Sequence, residues 1–220
     1  MSEWWTYRPE DFLLFSPRVY WRMFELHNEA LWPLHLITLA AGAAILVLAL
    51  WRPHGHGLWI ALILAALWGF VGWSFLWDRY AAINWAIAYV SPAFWLQAVL
   101  LAVVGAGGGV AFDRRDITAW LGLALAVLAI VAYPLLPSLF GRPWTTAEVF
   151  GIAPDPTAIV TLGFLLIARG GLVLLLLPIP LLWLLLSGLT LHIMGDTQAW
   201  LPFAVAGVSF ILVVLRRLLR

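Results

Sequence analysis

The sequence predicts an all-α fold: a polytopic integral membrane helical bundle of about seven transmembrane helices. Composition points there first, because 64% of the residues are hydrophobic and only 10% are charged. A soluble domain carries about 25% charged residues to cover its surface. Length agrees, since several stretches run about 20 residues without a charge, enough to cross a hydrocarbon core of roughly 30 Å at 1.5 Å per residue. The 15 tryptophans add a third indication, as indole rings settle at the headgroup level of a bilayer.

Residues 1–220 read as one transmembrane domain. The segment 1–15, with Trp4, Trp5 and Tyr7, is expected to lie at the interface. Ser16-Pro17 is a helix start, a hydroxyl cap before a proline at the first helical position. The helix begun there is expected to continue, kinked at Pro33, into a first span over about 30–51. Further spans are expected at 58–77, 92–112, 119–140, 157–168, 172–194 and 200–215. The fifth, 157–168, is the short one, about 18 Å as a helix. It follows an irregular, re-entrant-like stretch over 141–156, rich in proline and glycine. Gly105, Gly107, Gly108 and Gly109 lie in a span with no following Lys-Ser/Thr, so they predict close helix packing rather than phosphate binding.

Absent residue types exclude whole chemistries. There is no cysteine, so no disulfide, thiolate metal site or cysteine nucleophile. All twelve Lys+Arg residues are arginine, which excludes lysine Schiff bases. The net charge of +1 gives no sign of a nucleic-acid partner. A cleaved secretory signal is not expected, because the first 28 residues carry charges throughout and no apolar core of signal length.

The arginines suggest an orientation. With the N-terminus on one side, that side holds Arg8, Arg18, Arg22, Arg79 and Arg142; the other holds Arg52, Arg114, Arg115, Arg169, Arg216, Arg217 and Arg220. The positive-inside rule then places the C-terminus in the cytoplasm and the N-terminus outside.

The candidate site is a set of polar groups at the predicted outer end. Glu25, Asn28, Glu29 and Trp32 fall at helical spacing 0, 3, 4 and 7 and share one face, which His35 continues one turn into the membrane. Gln97 is expected at a similar depth on the third span, Tyr133 about two turns from the outer end of the fourth, Thr157 and Thr161 at the outer start of the short fifth, and His192 one turn inside Asp196 on the sixth. Polar side chains within a bilayer are costly and normally face the bundle, where they find partners. Three readings stay open: mutual hydrogen bonding that holds the helices in register, an outward-facing site for a cation or protons, or haem or metal ligation by His35 and His192 from facing helices. His54 and His56, flanking Gly55, read as solvated turn histidines. Arg142-Pro143-Trp144 could place a guanidinium beside an indole. No cofactor is expected, and the expected partners are the lipid bilayer and a membrane protein or second copy.

Several local runs are familiar together: Asn28-Glu29-Ala30-Leu31-Trp32-Pro33, Ile83-Asn84 with Gln97-Ala98, Tyr133-Pro134-Leu135-Leu136, Phe150-Gly151 with Pro154, Pro156 and Thr157, and Ile179-Pro180-Leu181-Leu182-Trp183. In that order the chain resembles a bacterial membrane family catalogued as domain of unknown function 6064. The resemblance implies a compact multi-span protein and transfers no catalytic residue. It leaves three functional classes: a small-solute, ion or proton transport or binding protein, a non-catalytic accessory subunit of a larger membrane complex, and a membrane-embedded haem or redox protein.

Overall fold

A computed structural model describes residues 13–113 and 115–218. The expected interfacial segment falls almost wholly outside them. Among the described residues the fold is helical, without a strand; two isolated bridges are the only β pairings. Helix α1 (Pro17–Leu31) starts as expected, with Ser16 Oγ accepting from the Val19 N–H at 3.4 Å. It does not continue through Pro33. Trp32 is extended, the Trp32–Pro33 peptide is cis, and α2 (Leu34–Trp51) begins afresh. Proline has no N–H to donate and its ring collides with the preceding turn, so the expected kink is a complete break.

Helices α3 (His56–Ile83), α4 (Trp85–Ala106), α5 (Ile117–Leu139), α7 (Gly171–Ile193) and α8 (Thr197–Arg216) follow, with α6 (Pro154–Ile167) between α5 and α7. Six of these, α2 to α5, α7 and α8, are long and apolar enough to cross a membrane. The count of seven spans is not confirmed on that criterion, because α6 has only 14 residues, about 21 Å. Span α3 runs past its expected end at 77, its last stretch passing through a π-helical segment, Gly72–Tyr80. Span α4 stops at Ala106, short of the expected 112, because Gly108 turns left-handed at φ +67° and frees the chain to fold back.

Contacts define two ends. At one, Asn28 of α1 bonds the loop carbonyls of Thr145 and Ala147, and Tyr133 of α5 reaches Asp155 of α6. At the other, Arg52 donates to the Asp113 carbonyl, Ala111 pairs with Arg169, and Arg216 of α8 donates to the Ala168 carbonyl. These are called the α1 end and the Arg216 end. Helix α6 runs between them, so among the described residues the chain passes from end to end seven times.

Every residue of α6 is buried, as are Val149–Ala153 before it. It is walled by α5, α7, α8 and α3 rather than by lipid. Its closest neighbour is α5, at a glycine crossing. A Cβ on Gly122 would lie 2.4 Å from the Gly163 carbonyl oxygen, and one on Gly163 2.5 Å from that of Gly122. Two backbones meet there with no side chain between them, the packing that small residues permit in membranes. Gly105 lets α4 pack directly on the Ala61 methyl of α3, since its Cβ would fall 2.4 Å from that of Ala61.

Helix ends need partners for their last carbonyls, and a buried end cannot use water. Arg216 supplies them for α6. One guanidinium nitrogen lies 2.6 Å from the Ala168 oxygen and the other 3.4 Å from those of Leu165 and Leu166. Its charge also suits the negative end of the helix dipole.

Gly163→Ala is expected to lower the thermal midpoint of the detergent-purified protein, at an overpacking cost of about 1–3 kcal/mol. Gly207→Ala on α8, whose Cβ would meet nothing within 4 Å, is expected to leave it unchanged. Equal midpoints for the two variants would show that the crossing is not tight.

Candidate functional site

Glu25, Asn28, Glu29, Trp32 and His35 line one cavity of about 640 Å³ at the α1 end. Its opposite wall is the stretch Trp144 to Val149. Asn28 joins the two walls. Its Nδ2 donates to the carbonyls of Thr145 at 2.7 Å and Ala147 at 2.9 Å, which fixes the amide's orientation. Its Oδ1 therefore faces His35 Nε2 at 3.1 Å as an acceptor, so the proton sits on Nε2. That leaves His35 Nδ1 a buried acceptor without a partner. Glu25 is paired with Arg22 at 2.6 Å, whereas exposed Glu29 has no ion-pair partner among the described residues. Trp32 and Trp144 stand 66% and 60% exposed on the two sides.

The other expected residues lie elsewhere. Gln97 is fully buried and donates to the Leu176 carbonyl at 3.0 Å. Leu176 is four residues before Pro180, which has no N–H to return, so Gln97 satisfies an acceptor that the helix itself leaves open. Thr157 and Thr161 tie α6 to its surroundings. Thr157 accepts from the Gly151 N–H at 2.9 Å, and Thr161 accepts from the Trp68 indole at 2.8 Å. His192 is exposed on α7. Helix α2, which carries His35, packs on α3 and α5, whereas α7 packs on α4, α6 and α8. The two histidines therefore do not face each other across a helix pair, as haem ligation would require. Among the described residues no three His, Cys, Asp or Glu side chains form a metal-binding group.

Tyr133 belongs to a different and more deeply buried assembly. Asp155, in the first turn of α6, accepts from the Trp183 indole at 2.7 Å, the Ser187 hydroxyl at 2.6 Å and the Tyr133 hydroxyl at 3.2 Å. Gln198, at the start of α8, donates to the Tyr133 oxygen at 3.4 Å and to Glu148 at 3.1 Å, and it accepts from Arg142. The Arg142 guanidinium lies 3.5 Å above the ring of Trp21. Its indole partner is thus Trp21 of α1, not the adjacent Trp144. Two carboxylates and one guanidinium therefore share a single hydrogen-bonded network joining α5, α6, α7, α8 and the loop. Burial, and then the neighbouring Asp155 carboxylate, pushes the Glu148 carboxyl up to about 8, against the opposing pull of Arg142 and Gln198.

Sequence spacing did not single out Asp155, Glu148 and Gln198, and it marked Arg142 only as a neighbour of an indole, because all four sit in or beside proline-rich turns where no helical period relates them. The available signal was charge inside a stretch otherwise fit for burial: Asp155 lies between two prolines at the head of an apolar helix. His27 was also missed. It is buried against Phe75, and burial drives its imidazole down to about 4, so it is neutral.

Two predictions follow from these bonds. Gln97→Leu should destabilise the bundle by about 1–3 kcal/mol through an orphaned carbonyl, and adding Pro180→Ala, which returns an N–H, should recover part of the loss in thermal melts. Glu148 takes up a proton on folding, so its contribution to stability is full below about 4.5 and is lost as pH rises through about 8. The midpoint should therefore fall between pH 7 and 9, a range in which His27 is neutral in the folded protein and largely neutral in the unfolded one, and Glu148→Gln should flatten that slope. An unchanged slope in the variant would remove Glu148 as its source.

Comparisons with known proteins complete the description of the site. Neither the curated proteins nor the solved structures contain a match to this chain. A family model does match, over residues 17–220, which begins at the first residue of α1 and includes every residue of the groove and of the buried network. The resemblance read from the motifs holds: the chain belongs to the family of unknown function DUF6064.

Proposed function

We propose that this membrane protein binds, and carries across the bacterial inner membrane, a small solute with a cationic group, taken up at the α1 end. One observation carries the reading: the groove lined by Glu25, Asn28, Glu29, Trp32 and His35 holds two carboxylates and one guanidinium. Arg22 answers Glu25, so Glu29 leaves a net negative charge. Exposed indoles on both walls suit a cation, because an aromatic face attracts positive charge. The Asn28 staple and the His35 imidazole supply polar groups one turn deeper, where water gives way to protein.

The groove and the buried acids share one loop. Thr145, Ala147 and Val149 line the groove, while Glu148, between them, points into the network with Asp155. Solute entry and the proton on Glu148 are in this way connected through a few residues of backbone, which supports proton-linked rather than passive uptake. The orientation that serves this function has the α1 end outside and the C-terminus in the cytoplasm. It is supported by the arginines and by the odd number of end-to-end passes.

Titration of the detergent-purified protein with tetraethylammonium, read by intrinsic tryptophan fluorescence, should show saturable quenching. Glu29→Gln and Trp32→Ala should each weaken it about tenfold, a size reasonable for a cation losing one ion pair or one aromatic face. Quenching that is unaffected by both substitutions would place binding elsewhere. In proteoliposomes the same variants should lose uptake while keeping their melting behaviour. A reporter fused after Arg220 that is active only outside the cell would reverse the orientation.

A further inference from the structure

Beside the solute groove, the α1 end carries a second cavity of opposite character. It has a volume of about 340 Å³ and lies between α1 and the last turns of α3. Arg18, Arg22 and Arg79 line it, with Asp78 as its one acid, and its remaining walls are apolar, among them Val19, Leu26 and Ile83. Arg22 has Glu25 as a partner. Arg79 Nε lies 3.3 Å from Asp78 Oδ2 but without hydrogen-bond geometry, so a buried donor is left without an acceptor. Arg18 has no ion-pair partner among the described residues.

Position in the bilayer is marked by aromatic side chains. Trp77 immediately precedes the Asp78–Ile83 wall and Trp85 follows it, and both are at least half exposed, as are Trp73 and Tyr89. Exposed indoles and phenols collect at the headgroup layer of a membrane. The cavity thus has cations at headgroup depth and an apolar surface beside them. Its position also explains an oddity of charge. This end carries few arginines, yet three of the four described ones converge on this cavity, and the fourth, Arg142, borders the next one along with Arg18 and Arg22.

We propose that this cavity is a binding site for an anionic phospholipid, its phosphate held by Arg18, Arg22 and Arg79 and an acyl chain laid along Val19, Leu26 and Ile83. A soluble phosphate has no use for the apolar wall. A zwitterionic lipid brings its own cation into a cavity that already holds three. A phosphodiester carrying one net negative charge and hydrocarbon chains satisfies both halves of the surface, and guanidinium groups match phosphate oxygens in geometry as well as charge. The occupant also has a structural effect: it would pin α1 to α3 on the flank opposite the Asn28 staple.

Thermal midpoints of the full chain in neutral detergent test this, with added phosphatidylglycerol, phosphatidylcholine or glycerol 3-phosphate. Phosphatidylglycerol should raise the midpoint, and the other two should not at equal concentration. Native mass spectrometry should show a preference for retained phosphatidylglycerol over phosphatidylcholine that falls about fivefold with Arg18→Gln, the worth of one arginine near an anionic surface. Arg18→Lys should keep most of it. Should Arg18→Gln melt early without lipid, the Arg18→Lys and Arg79→Gln preferences decide the matter in its place. Equal shifts from the two lipids, or a preference indifferent to Arg18 and Arg79, would overturn the proposal. An equal shift from glycerol 3-phosphate would assign the cavity to a free anion and overturn its lipid source. Glu29→Gln should leave the lipid shift intact, so failure of the solute reading and failure of this one remain distinguishable.

Discussion

A 14-residue helix sealed on every side by other helices sets the terms for the rest of the bundle. Because α6 touches no lipid and no bulk water, each polar group at its two ends must be met by protein. Arg216 reaches across from the last turn of α8 to its terminal carbonyls. At its head, Asp155 gathers an indole and two hydroxyls from α5 and α7. The glycine crossing with α5 then brings the two backbones close enough for the surrounding helices to close around them. An isolated carboxylate or guanidinium at these depths would cost several kcal/mol. Here each one binds α6 to a different neighbour.

The same demand for satisfied backbone explains the proline-broken helices. Pro180 opens a carbonyl in α7 and Gln97 of α4 fills it. Pro33 ends α1, and Asn28 and His35, on either side of the break, hydrogen-bond each other across it. Irregular backbone at membrane depth survives where protein groups replace the missing bonds. The polar residues of this chain therefore divide into two kinds. Gln97 and Thr157 satisfy open backbone groups and Thr161 meets the Trp68 indole, whereas Glu29 and Arg18 are left facing open cavities.

The α1 end turns on that division. Helix α1 lies across it as a divider, with an acidic, indole-walled groove on one flank and an arginine-lined apolar cavity on the other. Arg22 lines both cavities, and its partner Glu25 lines the groove alone of the two. The proposed solute and the proposed lipid headgroup would thus be sorted by charge across a single helix.

The all-helical class, the stretches that form helices long and apolar enough to cross a membrane, and the shared face of Glu25, Asn28, Glu29, Trp32 and His35 were legible in the sequence. All of these depend on composition or on spacing within one helix, and such periodicity survives whatever the helix packs against. It also sufficed for the family, whose motifs lie along the whole chain. Which helices meet depended on packing across the whole bundle. Tyr133, Glu148, Asp155 and Gln198 are 15, 7 and 43 residues apart in turn, and no period relates them; they form one network because α5, α6 and α8 converge at one end. Likewise His192, equal to His35 as a sequence feature, ended on the outer surface of α7, since the rotation of a uniformly apolar helix is set by its neighbours and leaves no mark in its own hydropathy.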